Sequence, residues 1–329
     1  MDKLLNEFRQ DLVSGDWVLF STARTHSVKK FEDSYQPKVG CPFEDPAGTG
    51  HKVVWGYPDN DNWQIMVLEN KFPAVRPGIC GPDKLQGSFN SHDAIGDHDV
   101  IVYKDHDLQF SDFSVEEAAA AIKVYKKRYQ EMAQTSECVE YVMIFHNYGH
   151  EAGASMYHPH SQIISMPILP PDVSRSIFGS HSFYEKNGKK VYDVIIQWER
   201  EEDKRIVYEN DFFVAFCPFV SKLPYEVRIF SKDSHAHFEK MPDELDRYLA
   251  DALLAVLKKI KMALGNPPFN FFIHTAPVKE NGFKNFHQFY HWHIEIFPKL
   301  SILAGFELGT GMDINVINPD EAAKVLRNA

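Results

Sequence analysis

The stretch "HPHSQI", residues 158–163, has a counterpart later in the chain, "HWHIEI" at residues 291–296. In an extended chain the side chains at i and i+2 point to the same face, so His158, His160 and Gln162 should share one face of a strand. The proline between the two histidines lacks an N–H, which fits a strand start or an edge but not a helix interior. The sequence therefore predicts two imidazoles and an amide aligned where a strand begins.

Further elements recur in the same order before the two histidine pairs. The recurring strand candidates are "VLENKF" (67–72) and "VYENDF" (207–212), "HDVIVYKD" (98–105) and "YEVRIFSK" (225–232), and "YVMIFHN" (141–147) and "FNFFIHT" (269–275). Any one pair of short strands can be alike by chance. Because the whole series recurs in order, we interpret the chain as an internal duplication.

Each half also contains a predicted helix between its strands. Residues 114–134 begin with Ser114 and Glu117 in capping-box spacing, and residues 241–265 carry a proline near their start and end at Gly265. Strands followed by a crossing helix and more strands predict an α+β fold, a mainly antiparallel sheet with helices packed on one side.

The duplication also suggests where the chain divides. We predict an N-terminal unit over residues 1–168, a connector over 169–205 and a C-terminal unit over 206–329. The connector is rich in turn residues and charges, and a short helix is expected only over residues 192–203.

The composition limits the class of protein. The chain has 329 residues, 44% of them hydrophobic, and a net charge of −11, which argues against a nucleic-acid-coating surface but allows a local basic pocket for a phosphorylated small molecule. No apolar run is long enough to span a membrane, and the first residues show no signal-peptide pattern. The four cysteines are far apart, so a reduced, cytoplasmic protein is expected.

Five stretches carry a resemblance to a known family, namely "RQDLVSGDWVLFSTAR" (9–24), "CPFE" (41–44), "VLENKFPAV" (67–75), "HNYGHEAGASMYHPHSQ" (146–162) and "GFELGTG" (305–311). In this order and spacing they resemble the galactose-1-phosphate uridylyltransferase family of the histidine-triad superfamily. The resemblance implies two tandem histidine-triad-like domains, a homodimer, and transfer of a nucleotidyl group through a covalent nucleotidyl-histidine. His160, the second histidine of H-P-H, matches the nucleophile.

The side chains around His160 suit this chemistry. A neutral imidazole near pH 7 has a free lone pair, so it can attack a phosphoryl group without first losing a proton. Gln162, on the same face, can donate to a phosphoryl oxygen, and backbone N–H groups near Gly149 and Gly153 can approach a phosphate closely. We therefore take His160 and Gln162 as the catalytic pair.

The resemblance also implies a set of substrate contacts. It matches Asn147, Gly153, Ser155 and Gln162 to nucleotide and phosphate contacts, Asn70 and Phe72 to the base and ribose pocket, Arg24 to a phosphate contact, and Phe306 and Glu307 to hexose contacts supplied by the neighbouring subunit. Taken singly, Asn70 and Ser155 also fit turn or cap residues, and Phe72 fits a core residue.

A structural zinc is implied by the same resemblance, although the match is imperfect. The family holds zinc with a C-x-x-C pair, a later histidine and the first histidine of H-P-H, which match Cys41, His106 and His158, but Glu44 stands where the second cysteine would be. Zinc accepts carboxylate ligands, so a site of Cys41, Glu44, His106 and His158 is reasonable. Alternatively, Cys41 is a small buried residue and His106 a surface histidine. No organic cofactor is expected.

A second cluster, His287, His291, His293 and Glu295, resembles a metal site at first sight. The iron-type site of the family also needs a glutamate at the position of Ser176, so the ligand set is broken. Two interpretations stay open, a degenerate copy that binds the sugar or braces an interface, and a second metal site.

Three functions remain open on the sequence alone. The first is exchange of a nucleoside monophosphate between a nucleotide sugar and a hexose 1-phosphate, with UDP-glucose and galactose 1-phosphate as the family's substrates. The second is phosphorolysis of a nucleotide sugar, as in the ADP-glucose phosphorylases of the same family. The third is a nucleotide- or metal-binding protein without turnover, against which the intact H-P-H-S-Q argues. The expected partners are thus nucleotide sugars and sugar phosphates, not nucleic acid or membrane.

Overall fold

The structure is a computed structural model that describes residues 5–24, 35–280 and 282–329, with only the backbone of Arg24. Within these residues the chain forms fifteen strands and six α-helices. The strands are β1 (Asn6–Gln10), β2 (Trp17–Ser21), β3 (Val53–Tyr57), β4 (Ile65–Glu69), β5 (Lys84–Gln86), β6 (Phe89–Ser91), β7 (His98–Tyr103), β8 (Tyr141–Tyr148), β9 (His160–Met166), β10 (Ile206–Glu209), β11 (Phe213–Phe216), β12 (Val227–Ser231), β13 (Phe269–His274), β14 (His293–Pro298) and β15 (Asp313–Asn315). The helices are α1 (Val115–Thr135), α2 (Pro171–Asn187), α3 (Val191–Glu202), α4 (Asp246–Leu264), α5 (Gly305–Thr310) and α6 (Pro319–Arg327).

Ten of the strands form one sheet in the order β10-β11-β12-β14-β13-β8-β9-β7-β4-β3. Every neighbouring pair in this sheet is antiparallel. The order is the same in both directions from the centre, where β8 pairs with β13 in a register that places Asn147 opposite Asn270. Three of the recurring pairs of stretches therefore occupy equivalent places in the two halves, with β8 matching β13, β9 matching β14 and β7 matching β12. The pair "VLENKF" and "VYENDF" does not, because the first includes the end of β4, which corresponds to β11, and the second includes the end of the edge strand β10.

The predicted α+β fold is confirmed, and helices α1 and α4 lie on one face of the sheet. At the start of α1 the Ser114 hydroxyl accepts the N–H of Glu117 at 3.2 Å, and the Glu117 carboxylate accepts the N–H of Ser114 at 2.8 Å, which is the predicted capping box. Buried residues of α1 and α4, such as Tyr125 and Leu253, belong to the same apolar core as Ile163 of β9. Burial of this face fixes which side chains of β9 point the other way, and these include Gln162.

The 169–205 stretch is more ordered than the sequence indicated. The expected helix within it is present as α3, but α2 replaces what was predicted to be turn-rich chain. Helix α2 begins with a proline in its first turn and ends before Gly188, which has a left-handed backbone. Val173 and Ile177, four residues apart on this helix, are buried. Both helices pack against the opposite face of the sheet from α1, in a core that includes Phe216 and Phe230. The division into two domains and a connector stays a prediction.

The cysteines correct one expectation. Cys80 and Cys138 form a disulfide, so the prediction of a fully reduced chain is wrong for these two, whereas Cys41 and Cys217 are free thiols. The two bonded cysteines are 58 residues apart in sequence. Spacing along a chain does not report distance in space, and the disulfide depends on the loop after β4 folding back to the turn that precedes β8.

Among the described residues, no helix combines the length and apolar character that a bilayer crossing requires.

Candidate active site

His160 is the first residue of β9, directly opposite Val102 of β7. Its Nδ1–H donates to the carbonyl of His158 at 2.9 Å. Because a carbonyl only accepts, Nδ1 carries the proton and Nε2 keeps its lone pair. No group in the described part of the chain hydrogen-bonds to Nε2. Burial lowers the pKa of His160, so the ring is neutral near pH 7, as a nucleophile requires.

A buried hydroxyl on the helix side of the sheet anchors the strand that carries His160. Ser161 points to the helix side of the sheet, where its Oγ lies 2.7 Å from the Tyr103 hydroxyl, 2.6 Å from the Tyr125 hydroxyl and 3.0 Å from Nδ1 of His146. All four side chains are buried. Side-chain hydrogen bonds from β7, β8 and α1 therefore converge on the residue next to His160.

Gln162 follows two residues later, opposite Val100, and shares the face of His160. Its Oε1 lies 2.9 Å from Nε2 of His98. The position of Gln162 on this face is as the sequence predicted, whereas the contact with His98 was not expected.

Asn147 and the glycine-rich turn lie beside the histidine pair. Asn147 lines a cleft together with Gly149, Ser155 and His158. Gly153 has a left-handed backbone (φ +87°), and a Cβ there would lie 3.9 Å from Nδ2 of Asn147. The turn is thus folded against Asn147, so that Asn147, Gly153 and Ser155, three of the predicted phosphate contacts, lie on or beside one cleft.

The C-terminal half holds Asn147 through a side-chain hydrogen bond. Nδ2 of Asn270 on β13 donates to Oδ1 of Asn147 at 2.7 Å and to the carbonyl of Ala152 at 2.8 Å. The second contact identifies the Asn270 nitrogen as the donor, because a carbonyl cannot donate. Oδ1 of Asn147 is therefore the acceptor of the first contact, and its NH₂ group is left available.

Asn70 and Phe72 form the turn after β4. Oδ1 of Asn70 accepts the N–H of Phe72 at 2.9 Å, and Phe72 is 88% exposed. The interpretation of Phe72 as a core residue is wrong, because the turn places its ring in solvent. The side chain of Arg24 lies outside the described residues.

Phe306 and Glu307 lie in the short helix α5. Phe306 is partly exposed, and the carboxylate of Glu307 accepts the N–H of Ala304 at 2.9 Å. In the described part of this chain neither residue is bonded to His160 or Gln162.

The four predicted metal ligands converge. Nδ1 of His158 lies 3.1 Å from Nδ1 of His106 and 3.6 Å from Sγ of Cys41, and Oε1 of Glu44 lies 3.3 Å and 3.2 Å from these two Nδ1 atoms. Donor atoms around a tetrahedral zinc are about 3.3–3.8 Å apart. Cys41, His106 and His158 thus form a possible metal site with Glu44 beside it. Because His106 is buried, its interpretation as a surface histidine is wrong.

The proton positions of the two imidazoles favour a cation at this site. Nε2–H of His158 donates to the carbonyl of Tyr103 and Nε2–H of His106 to the carbonyl of Gln36, each at 2.7 Å. With the Nε2 protons placed in this way, the two Nδ1 atoms face each other and a carboxylate, as the lone pairs of metal-ligating imidazoles do. Such a group of acceptors is stable when a positive ion lies between them, so the residues present fit a bound metal.

The second histidine pair repeats the geometry of the first but has different neighbours. His293 Nδ1–H donates to the carbonyl of His291 at 3.1 Å, as His160 does to His158. Its Nε2, however, lies 3.3 Å from Oε1 of Glu295, and Nε of Arg228 lies 3.0 Å from the same oxygen. The guanidinium already neutralises the carboxylate, which supports the interpretation as a degenerate copy. His287 is separate, with Nδ1 accepting the N–H of Ala236 at 3.4 Å.

Comparison with known proteins places this site in a family. A model described as "Galactose-1-phosphate uridyl transferase, N-terminal domain" matches residues 2–170, and a domain of unknown function, DUF4921, matches residues 88–328. The ADP-glucose phosphorylase of Arabidopsis thaliana is 34% identical over 98% of this chain and 92% of its own length. The galactose-1-phosphate uridylyltransferase of Thermotoga maritima is 28% identical over 98% of both chains.

Solved structures agree with these sequence matches. An ADP-glucose phosphorylase from Arabidopsis thaliana with bound ADP-glucose superposes with a TM-score of 0.83 at 32% identity over 99% of both chains. A uridylyltransferase superposes with a TM-score of 0.76 at 27% identity over 98% of this chain and 97% of its own. The fold and the histidine site define a nucleotidyltransferase. The chain belongs to the galactose-1-phosphate uridyl transferase family.

Two residues at the site, His98 and Asn270, were not predicted from the sequence. Both lie inside recurring stretches, "HDVIVYKD" and "FNFFIHT", which were interpreted only as strands. The repeat shows that these strands exist, but the contacts of the two side chains depend on which strands become neighbours.

Proposed function

We propose that this enzyme transfers a nucleoside monophosphate from a nucleotide sugar to a phosphorylated acceptor through a covalent nucleotidyl group on His160. The observation that carries the proposal is the state of the imidazole, with Nδ1–H held by the His158 carbonyl and the Nε2 lone pair unengaged within the described residues. A serine in this place would need a separate base, whereas the neutral imidazole does not.

The exchange takes place in two displacements. Nε2 of His160 attacks the α-phosphorus, a P–N bond forms, and the bond from that phosphorus to the bridging oxygen breaks, so the sugar phosphate leaves with the electron pair. An oxygen of the acceptor phosphate then attacks the same phosphorus, and the P–N bond breaks to restore the neutral ring. The NH₂ groups of Gln162 and Asn147, the Ser155 hydroxyl and the backbone at Gly153 donate to the phosphoryl oxygens.

The remaining contacts surround the base and the sugar. Exposed Phe72 offers a face on which a base can stack, next to the turn made by Asn70. Arg24 contacts phosphate, and Phe306 and Glu307 contact the hexose of the neighbouring subunit in a homodimer. The exposure of α5 in this chain supports the last assignment, because a partner can reach it.

Two pairs of substrates are consistent with this site. The first is UDP-glucose with galactose 1-phosphate, supported by the family of uridylyltransferases to which the chain belongs. The second is ADP-glucose with inorganic phosphate, supported by 34% identity to an ADP-glucose phosphorylase, compared with 28% to a uridylyltransferase.

We further propose that the metal site formed by Cys41, Glu44, His106 and His158 holds zinc. Bound zinc supplies structural cross-linking and no nucleophile, since attack by histidine on phosphorus needs no metal hydroxide. His158 connects the metal site to the nucleophile, because its carbonyl holds the Nδ1 proton of His160.

A substrate matrix tests the donor and the acceptor together. Purified enzyme is incubated with UDP-glucose or ADP-glucose, each with galactose 1-phosphate or inorganic phosphate, and products are separated by chromatography. Turnover of UDP-glucose only with the sugar phosphate assigns the transferase, and turnover of ADP-glucose with inorganic phosphate assigns the phosphorylase. Absence of turnover and of any nucleotidyl adduct, with folded protein, would contradict both and favour a binding protein.

A further inference from the structure

His98 lies at the start of β7, and its two ring nitrogens contact two different parts of the site. Nδ1 lies 3.1 Å from the backbone nitrogen of Ala74, in the loop that follows Phe72. Nε2 lies 2.9 Å from Oε1 of Gln162 on the neighbouring strand β9. One imidazole therefore joins the loop on the base side of the site to the amide on the phosphate side.

The backbone contact determines the tautomer of His98. A backbone N–H can only donate, so Nδ1 must accept from Ala74 and the ring proton is on Nε2. Nδ2 of Asn70 also lies 3.3 Å from Nε2 of His98. Oδ1 of Asn70 accepts the N–H of Phe72, and this bond keeps the nitrogen of the Asn70 amide, not its oxygen, toward His98. The nitrogen of Asn70 is a donor as well, so the Nε2 proton of His98 is directed to Gln162.

This proton in turn determines the orientation of the Gln162 amide. An Nε2–H donor requires the amide oxygen, not the NH₂ group, to face His98. We infer that His98 is a positioning residue that turns the NH₂ group of Gln162 toward the phosphoryl oxygens next to His160. The inference deepens the proposed function and rests on it, because it assigns Gln162 the role of phosphate donor.

The surroundings of His98 keep the ring neutral. Burial lowers the pKa of His98, although the hydrogen bond to Gln162 opposes this effect. A protonated ring would lose its acceptor at Nδ1 and, with it, the contact to Ala74. The neutral Nε2–H form satisfies both contacts at once.

A matched pair of substitutions separates the two contacts. The amide of glutamine reaches the position of Nε2 in histidine, whereas the amide of asparagine reaches only that of Nδ1. His98→Asn should keep an acceptor for Ala74 but lose the donor to Gln162, and His98→Gln should keep the donor. The rate of nucleotidyl-enzyme formation in a single turnover should fall at least about 10-fold in His98→Asn, with little change in nucleotide affinity, and His98→Gln should restore most of that loss.

A double-substitution cycle tests whether His98 acts through Gln162. In a Gln162→Ala background the His98→Asn substitution should reduce the rate by no more than about 2-fold further, because the amide it orients is gone. Equal rates for His98→Asn and the native enzyme, or fully multiplicative losses in the double variant, would overturn the inference.

The tautomer can be measured independently of catalysis. Nitrogen-15 NMR of the imidazole in the native protein should show His98 protonated at Nε2, and the Gln162 side-chain amide signals should shift in His98→Asn. A ring protonated at Nδ1 would overturn the inference even if the enzyme is active. If the native protein forms no nucleotidyl adduct with any nucleotide sugar, the proposed function fails, and the NMR result still decides the orientation of Gln162.

Discussion

Asn270, on a strand of the C-terminal half, donates a 2.7 Å hydrogen bond to Oδ1 of Asn147, at the end of a strand of the N-terminal half. The bond crosses the centre of the ten-stranded sheet, where β8 pairs with β13. Because it occupies the oxygen of Asn147, the NH₂ group of that amide is left to face a ligand. The N-terminal histidine site therefore depends on the C-terminal half of the chain for part of its geometry.

Removing this donor should weaken the site without unfolding it. Asn270→Ala frees the Asn147 amide to rotate, and we expect nucleotidyl transfer to fall about 10-fold, the effect of losing one hydrogen bond of roughly 1.4 kcal/mol. Steady-state kinetics with the nucleotide sugar measures the change. Asn210→Ala, which removes an amide bonded to Tyr248 and Asp251 away from the cleft, serves as the control. Unchanged kinetics in Asn270→Ala would show that Asn147 is oriented by other means.

The Ser161 hydroxyl should contribute more to stability than an ordinary buried serine. Ser161→Ala leaves Tyr103, Tyr125 and His146 without their shared partner, and we expect the free energy of unfolding to fall by about 2–3 kcal/mol. Ser165→Ala is the matched control, since Ser165 is equally buried on the same strand but, within the described residues, accepts only the N–H of Asp97, at 2.8 Å. Its loss should be about 1 kcal/mol. Equal losses in urea titrations of the two variants would contradict a shared role for Ser161.

Stability should decrease as the pH falls below the ordinary pKa of histidine. Burial lowers the pKa of His146 and of His291 to about 3 in the folded protein. The unfolded chain binds protons at these residues from about pH 6.5 downward and the folded chain does not, so each removes about 1.4 kcal/mol per pH unit in that window. Above pH 6.5 both histidines are neutral in the folded and in the unfolded chain, so this loss of stability is absent there.

His291→Gln isolates one of these contributions. Glutamine can keep the donor that His291 Nε2–H supplies to the Ser231 carbonyl at 2.9 Å, but it does not titrate. Denaturant titrations at pH 7, 6 and 5 should show a shallower pH dependence for this variant, by about 1.4 kcal/mol per unit. The same slope in both proteins would mean that His291 takes up its proton in the folded state.

Metal content should follow the site at Cys41. We expect about one zinc per chain in the purified protein and little in Cys41→Ser, with a lower Tm after chelation. Cys217→Ser, at the other free thiol, which is fully buried, should retain the metal. A native protein that is free of metal and unaffected by chelator would contradict a zinc bound by His106 and His158.

The sequence predicted those features that depend on local pattern. The capping box at Ser114 and the common face of His160 and Gln162 both follow from spacing along the chain. The convergence of Cys41 with His106 and His158 was also predicted, but from the resemblance to a family and not from spacing.

Other features were missed, most of them because they depend on contacts between distant parts of the chain. Helix α2 was missed because its polar residues concealed two buried positions, Val173 and Ile177. Cys80 and Cys138 were interpreted as separate thiols because they are 58 positions apart in the sequence. The orientations of the Gln162 and Asn147 amides required the tertiary neighbours His98 and Asn270.

The most direct test of the account is to find the residue that carries the nucleotidyl group. Native enzyme and His160→Gly are incubated with UDP-glucose or ADP-glucose without an acceptor, and the proteolytic peptides are sequenced by mass spectrometry under conditions that preserve the P–N bond. We predict one nucleoside monophosphate on His160 of the native protein, removed by adding the acceptor, and none on the variant, which should still bind nucleotide. An adduct on another residue, or undiminished exchange by His160→Gly, would contradict the assignment of His160 as the nucleophile.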